Sequence, residues 1–265
     1  MSAEANSRVT IALNDGIADV RFNRADKLNA LDGAQIEAIA AAIDQLATMK
    51  GLRAVVLSGE GRGFCAGIDL GNLANNPAPK GLMERTHGDA NIFQHIAYGW
   101  RTLPVPVIAA VHGFAFGGGF QIMLGADIRI TAPDAQLSMM EARWGLVPDM
   151  GGIALLRGLV RDDIAREFIF TARKMSGTEA TTIGVATRVA DDPYAEAMTL
   201  ARQIAATSPD AIRAGKRLMN VAADMDTRAI LVAEAEEQQA LIASPSHMET
   251  LRAHTEKRPP VFNDI

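Results

Sequence analysis

Two apolar runs near the start, Val9–Leu13 and Ile17–Phe22, flank Asn14-Asp15-Gly16. This pattern predicts a β-hairpin, because an Asn/Asp-Gly turn accepts the positive φ values that tight hairpins need. From Gln35 to Met49 the period lengthens, and Ile36, Ile39, Ala40, Ile43 and Leu46 share one helical face. Arg53–Leu57, Val107–Val111 and Asp127–Thr131 are short apolar runs that predict strands, the first two of them buried. From Pro193 onward the pattern turns helical, with candidates at Ala195–Ala206, Pro209–Ala223, Thr227–Ala243 and near His247–His254. No strand pattern returns after that point. Alternating helix and strand predicts a layered α/β fold with β-β-α units. Residues 1–205 form the expected core and residues 206–265 a helical C-terminal region. Asn72–Lys80, rich in Asn, Pro and Gly, is expected to be a mobile loop.

Thr102–Ala126 carries no formal charge and is long enough to span a bilayer. It also holds Pro104, Pro106, His112, Gln121 and several glycines, so a strand, a turn and a buried helix explain it better. The chain has 265 residues, is 48% hydrophobic and 22% charged, and carries a net charge of −5. These values fit a globular protein and argue against nucleic acid, which binds basic surfaces. Cys65 is the only cysteine, which excludes an intrachain disulfide and a cysteine-based zinc site. The first eight residues lack an apolar stretch, so no signal peptide is read and a cytoplasmic location is expected.

Two Gly-rich turns follow β-branched runs, Gly63–Leu70 and His112–Phe120. Gly117, Gly118 and Gly119 serve either tight packing or close approach of a ligand to backbone N–H groups at a helix start. Two such turns aimed at one point would make an oxyanion hole, which implies chemistry on an acyl carbonyl. Gly61, Gly63 and Ala66 also fit a relaxed dinucleotide fingerprint, but Glu84 is not on a strand that could present it to a ribose. No P-loop lysine and no G-x-S-x-G elbow is present.

Glu141 and Asp149 flank an apolar stretch that includes Trp144, Leu146 and Val147. They are either surface loop acids or desolvated carboxylates with raised pKa values. The five histidines are scattered without metal-ligand spacing, so no metal is expected.

Together these segments resemble the crotonase (enoyl-CoA hydratase/isomerase) superfamily. Phe22–Leu31 resembles its CoA-contacting segment, and Phe64–Leu70 and Gly113–Gln121 its two oxyanion turns. Ala135 to Gly152 resembles the catalytic segment, and Glu256–Phe262 the C-terminal signature. The resemblance implies a spiral of ββα units with a C-terminal helical trimerisation region. It implies an acyl-CoA thioester substrate, no separate cofactor, and a homotrimer or dimer of trimers, while the charge and the breakers above leave no nucleic-acid or membrane partner expected. By position, the N–H groups of Ile68 and Gly118 would be the oxyanion donors. Lys27, Leu28, Ala66 and Asp69 would lie along the CoA arm, and Lys257 would reach the 3′-phosphate, often across a subunit boundary.

Hydratases of the family use two glutamates. Here one position matches Glu141, but the other matches Gln121, which cannot exchange a proton at neutral pH. Asp149 stands where hydratases commonly carry glycine. The expected catalytic set is therefore Glu141 and Asp149, with Gln121 as an orienting amide. This set favours an enoyl-CoA double-bond isomerase, Δ3→Δ2 or dienoyl. The alternatives are a hydratase in which Gln121 holds the water, a thioester or β-diketone hydrolase, and a CoA-binding or RNA-associated relative without turnover.

Overall fold

The computed structural model describes residues 7–71 and 81–263. The hairpin forms from Val9–Asn14 (β1) and Ile17–Phe22 (β2), paired antiparallel. Its turn is Asp15 and Gly16, both at positive φ. Asp32 then accepts a hydrogen bond from the backbone N of Gln35 and caps Gly33–Ala47 (α1). The five apolar positions read from the sequence are all buried on this helix.

Ala54–Gly59 (β3) pairs parallel with β2. Ile92–Thr102 (α2) begins with a capping box in which Asn91 and Gln94 satisfy each other's backbone N–H groups. Val107–Val111 (β4), Phe114–Phe116 (β5) and Gly118–Gly125 (α3) occupy the uncharged stretch. Among the described residues, no helix is long and apolar enough to cross a membrane. Ile128–Thr131 (β6), Gln136–Ser138 (β7), Gly152–Leu156 (α4), Asp162–Thr171 (α5), Met175–Ser176 (β8), Gly177–Ile183 (α6) and Arg188–Val189 (β9) follow.

The large sheet has six strands in the order β1-β2-β3-β4-β6-β9, parallel beyond the first pair. A small sheet has the order β5-β7-β8. After leaving a strand of the large sheet, the chain adds a short rung to the small layer and then turns into helix. β4 leads to β5 and α3, and β6 leads to β7. β3 leads to Cys65, which bridges Ala115 of β5. This repeat is the spiral of ββα units. The loop expected at Asn72–Lys80 lies outside the described residues.

Helices cover both faces of the large sheet, which explains the continuous apolar runs of β3 and β4. On one face Ile39, Ile43, Trp100 and Phe120 pack with Val55 and Leu57. On the other, Pro193–Ala205 (α7) sets Ala197 and Ala201 against Val56, Ile108 and Ile130. Pro209–Ala222 (α8) is anchored by Lys216, whose buried ammonium donates to Asp127 Oδ2 at 2.7 Å and to the Val105 carbonyl at 2.8 Å. Thr227–Leu241 (α9) buries none of its residues and Pro245–Glu256 (α10) buries only Ala253.

Candidate active site

Three neighbouring rungs of the small layer set the site. Cys65 pairs with Ala115, and Ala115 pairs with Leu137. Adjacent rungs stand about 4.8 Å apart. Ile68, Gly118 and Glu141 follow these rungs by three or four residues, so the ladder delivers all three to one edge.

Ile68 forms a parallel bridge with Leu31. In that pattern Leu31 bonds the carbonyl of Gly67 at 2.8 Å and the N–H of Asp69 at 2.9 Å. Ile68's own N–H is left pointing away from the bridge. Gly118 is the first residue of α3, where a helix has no internal acceptor for its N–H. Neither N–H has an acceptor among the described residues. The turns touch: a Cβ on Gly67 would lie 2.5 Å from the Phe116 carbonyl oxygen and 3.4 Å from the Gly118 nitrogen. Gly67 also sits at φ +84°, so two independent constraints demand glycine there. Both readings of the glycine run are therefore realised: Gly119 packs against Cys65, and Gly118 leaves a donor free.

Glu141 opens a short 3-10 turn and is buried. Its Oε1 accepts a 2.6 Å hydrogen bond from Gln121 Nε2, while its Oε2 is buried without a partner among the described residues. Gln121 lies one turn into α3 and is fully buried. Its Oε1 accepts from the backbone N–H of Met150 at 2.9 Å and of Gly152 at 3.0 Å. One amide thus orients the acid and ties down the loop that carries Asp149. Burial raises the pKa of Glu141; hydrogen bonds from the backbone and from Gln121 draw it part of the way back, and the charge of Asp149 adds a smaller upward push. Asp149 is open to solvent yet ringed by protein, and desolvation raises its pKa as well. Neither acid is a bland surface carboxylate.

The segments expected to hold CoA are partly gathered here. The N–H of Ala66 donates to the Leu28 carbonyl at 3.0 Å, and Leu28 sits in the left-handed region at φ 56°. Asp69 accepts from Arg24 Nη1 at 2.8 Å, so its carboxylate is held by the protein's own cation. Lys27 ends a short 3-10 helix and is exposed. Lys257 is not brought to these residues within the chain. It caps α10 and leads into Phe262 and Asn263, which dock on Arg53 at the start of β3, the far end of that strand from the turns.

Sequence reasoning missed three supporting residues. Asn29 is buried, adopts φ 55°, and donates to the carbonyls of Glu60 at 2.9 Å and Gly63 at 3.0 Å, bracing the first turn. Leu31 and Met150 flank Gly118, with Leu31 Cδ1 and Met150 Sδ each 2.8 Å from where a Cβ would sit. An Asn before an apolar pair was the signal available for the first; packing against a backbone has no local signal.

The Enoyl-CoA hydratase/isomerase family model matches residues 12–265. The chain is 32% identical over 256 residues to the mitochondrial methylglutaconyl-CoA hydratase of Mus musculus, covering 94% of this chain and 80% of that protein. It is 33% identical over 256 residues to carnitinyl-CoA dehydratase of Salmonella enteritidis PT4, covering 94% and 95%. Among solved structures, an enoyl-CoA hydratase from Bacillus anthracis superposes with a TM-score of 0.88 at 28% identity, covering 96% of this chain and 98% of that one. With a family model spanning nearly its whole length, and relatives similar from end to end, the chain belongs to the enoyl-CoA hydratase/isomerase family.

Proposed function

We propose that this enzyme shifts a carbon–carbon double bond in an enoyl-CoA. The observation that carries the reading is the state of Gln121. Its carbonyl oxygen is already taken by two backbone N–H groups and its amide donates to Glu141. No ionisable group stands at that position to activate a water beside Glu141. The second acid is Asp149, on the far side of Met150 along the loop.

In this reading the thioester oxygen docks on the N–H groups of Ile68 and Gly118, at the positive end of α3. Glu141 Oε2, desolvated and unpartnered, removes a proton from C2 of a 3-enoyl thioester. The electron pair delocalises onto the thioester oxygen, where each donor is typically worth about 10²–10³ in rate. A proton returned at C4 completes the shift, with Asp149 as the second proton-carrying group. The CoA arm runs past Lys27, Leu28, Ala66 and Asp69, and CoA itself is part of the substrate, so no separate cofactor enters. Lys257 contributes only if a second copy brings it near. The exposed apolar residues of α9 and α10 support such an assembly, a homotrimer or dimer of trimers.

Hydration is the second reading, favoured by the names of the relatives and by the solvent access of Asp149. An assay of crotonyl-, 3-hexenoyl- and 3,5-dienoyl-CoA, followed by product mass, separates the two. Isomerisation leaves the mass unchanged and hydration adds one water. Rapid hydration of crotonyl-CoA with 3-hexenoyl-CoA untouched would overturn the isomerase reading.

A further inference from the structure

A second polar cluster lies on α1, α2 and the segment before α2, built from residues with no role in the site above. Asp44, His87 and His95 come from three separate segments, and each offers a ligand atom within 4.8 Å of the others. His95 Nε2 is 3.2 Å from Asp44 Oδ1. Asp44 is therefore the neighbour that His95 Nε2 meets in this cluster. The His87 and His95 rings are stacked, with centroids 4.0 Å apart. Thr86 Oγ1 occupies His87 Nδ1 at 2.9 Å, which leaves His87 Nε2 as the available donor atom.

We infer that Asp44, His87 and His95 form a binding site for a divalent transition-metal ion of the zinc type. Two imidazoles and one carboxylate are a donor set that zinc takes with one further open position. Asp44 is 62% exposed on its side chain, so water has access to that position. Imidazole coordinates a metal in its neutral form, the form an ordinary histidine mostly takes at neutral pH. Among the described residues, Asp44 contributes the carboxylate of the group and Thr86 bonds His87. Donors around a tetrahedral zinc stand about 3.3 Å apart, given bonds of about 2.0–2.1 Å. Binding therefore draws the three side chains inward and turns the two rings out of their stack. The exposed Asp44 and the loop-borne His87 supply that movement. Histidine spacing along the chain hides the site, because residues 44, 87 and 95 meet only through the packing of α1 on α2.

The consequence is a clamp. A bound ion would tie the segment before α2 to the end of α1. The same α2 carries Tyr98, whose Cβ lies 3.5 Å from the Cβ position of Gly151, beside the loop held by Gln121.

The test uses the untagged full chain, stripped with chelator. Zinc is titrated by calorimetry and cobalt by visible absorption. The expected result is one ion per chain, the intense visible band of four-coordinate cobalt, and a higher melting temperature with zinc. His87→Ala and Asp44→Asn, both at accessible positions, should each weaken binding by at least about tenfold. His254→Ala should leave it unchanged. Absence of saturable binding to the wild type, or equal binding by His87→Ala and Asp44→Asn, would overturn the assignment.

Discussion

In the proposed isomerase, the pair Gln121 and Glu141 concentrates the chemistry in a single hydrogen bond. Glu141→Gln keeps an acceptor for Gln121 Nε2 but removes the base, so turnover should drop by about 10²–10⁴ with acyl-CoA affinity retained. The same variant carries a stability signature. Burial raises the folded-state pKa of Glu141 above its unfolded value. The stability it contributes is complete below the unfolded pKa and is lost as pH rises through the folded one. The glutamine variant lacks that loss. Its melting temperature should match or exceed the wild type at neutral pH, with any excess shrinking as the buffer is acidified. Gln121→Glu makes a different test. A carboxylate there still accepts from Met150 and Gly152 but places a second acid beside Glu141. The acid limb of the pH–rate profile should move upward, and hydration of crotonyl-CoA should rise relative to isomerisation; an unchanged product ratio would count against the role given to Gln121. The sequence already separated Gln121 from a second glutamate. It could not show that both ends of the amide are engaged, because Met150 and Gly152 reach it from 29 and 31 residues away.

The elements that carry the site are short, and glycine makes their close approach possible. Gly67→Ala must hold a left-handed residue at a cost of about 1–2 kcal/mol. It also forces a methyl into the Phe116 carbonyl, adding about 1–3 kcal/mol of overpacking. Thermal unfolding should record that loss together with a fall in kcat, since the strain lies between the two donors. The long elements were legible from periodicity: α1, β3, β4 and the four C-terminal helices begin and end within a few residues of expectation. β8 and β9 were not, because two-residue strands have no period to read. Periodicity does not mark α2, although Asn91 and Gln94 spell a capping box, because His95, Gly99 and Arg101 interrupt its apolar positions.

At the scale of the whole molecule the C-terminal helices are unfinished. Leu231 is 59% exposed and Val232 51% exposed on α9, and Leu251 is 50% exposed on α10. A helix that buries none of its own residues gains little from its own chain. On the proposed trimeric assembly, Leu231→Glu should lower the assembly state seen by sedimentation at low protein concentration while the core retains its far-ultraviolet circular dichroism. If the variant and the wild type sediment alike, α9 is not the association surface. The sequence pattern that loses its strands before Pro193 matches the described elements, in which helices alone follow Arg188–Val189. The depth to which α8 is rooted was not readable, because Lys216 looks like any surface lysine until its partners at Val105 and Asp127 are known. On the proposed mechanism, the ladder Cys65–Ala115–Leu137 separates what grips a substrate from what transforms it. Backbone donors on two rungs are indifferent to side-chain identity at 121, 141 and 149. A lineage could therefore exchange one reaction for another by point substitution without ever losing hold of the thioester.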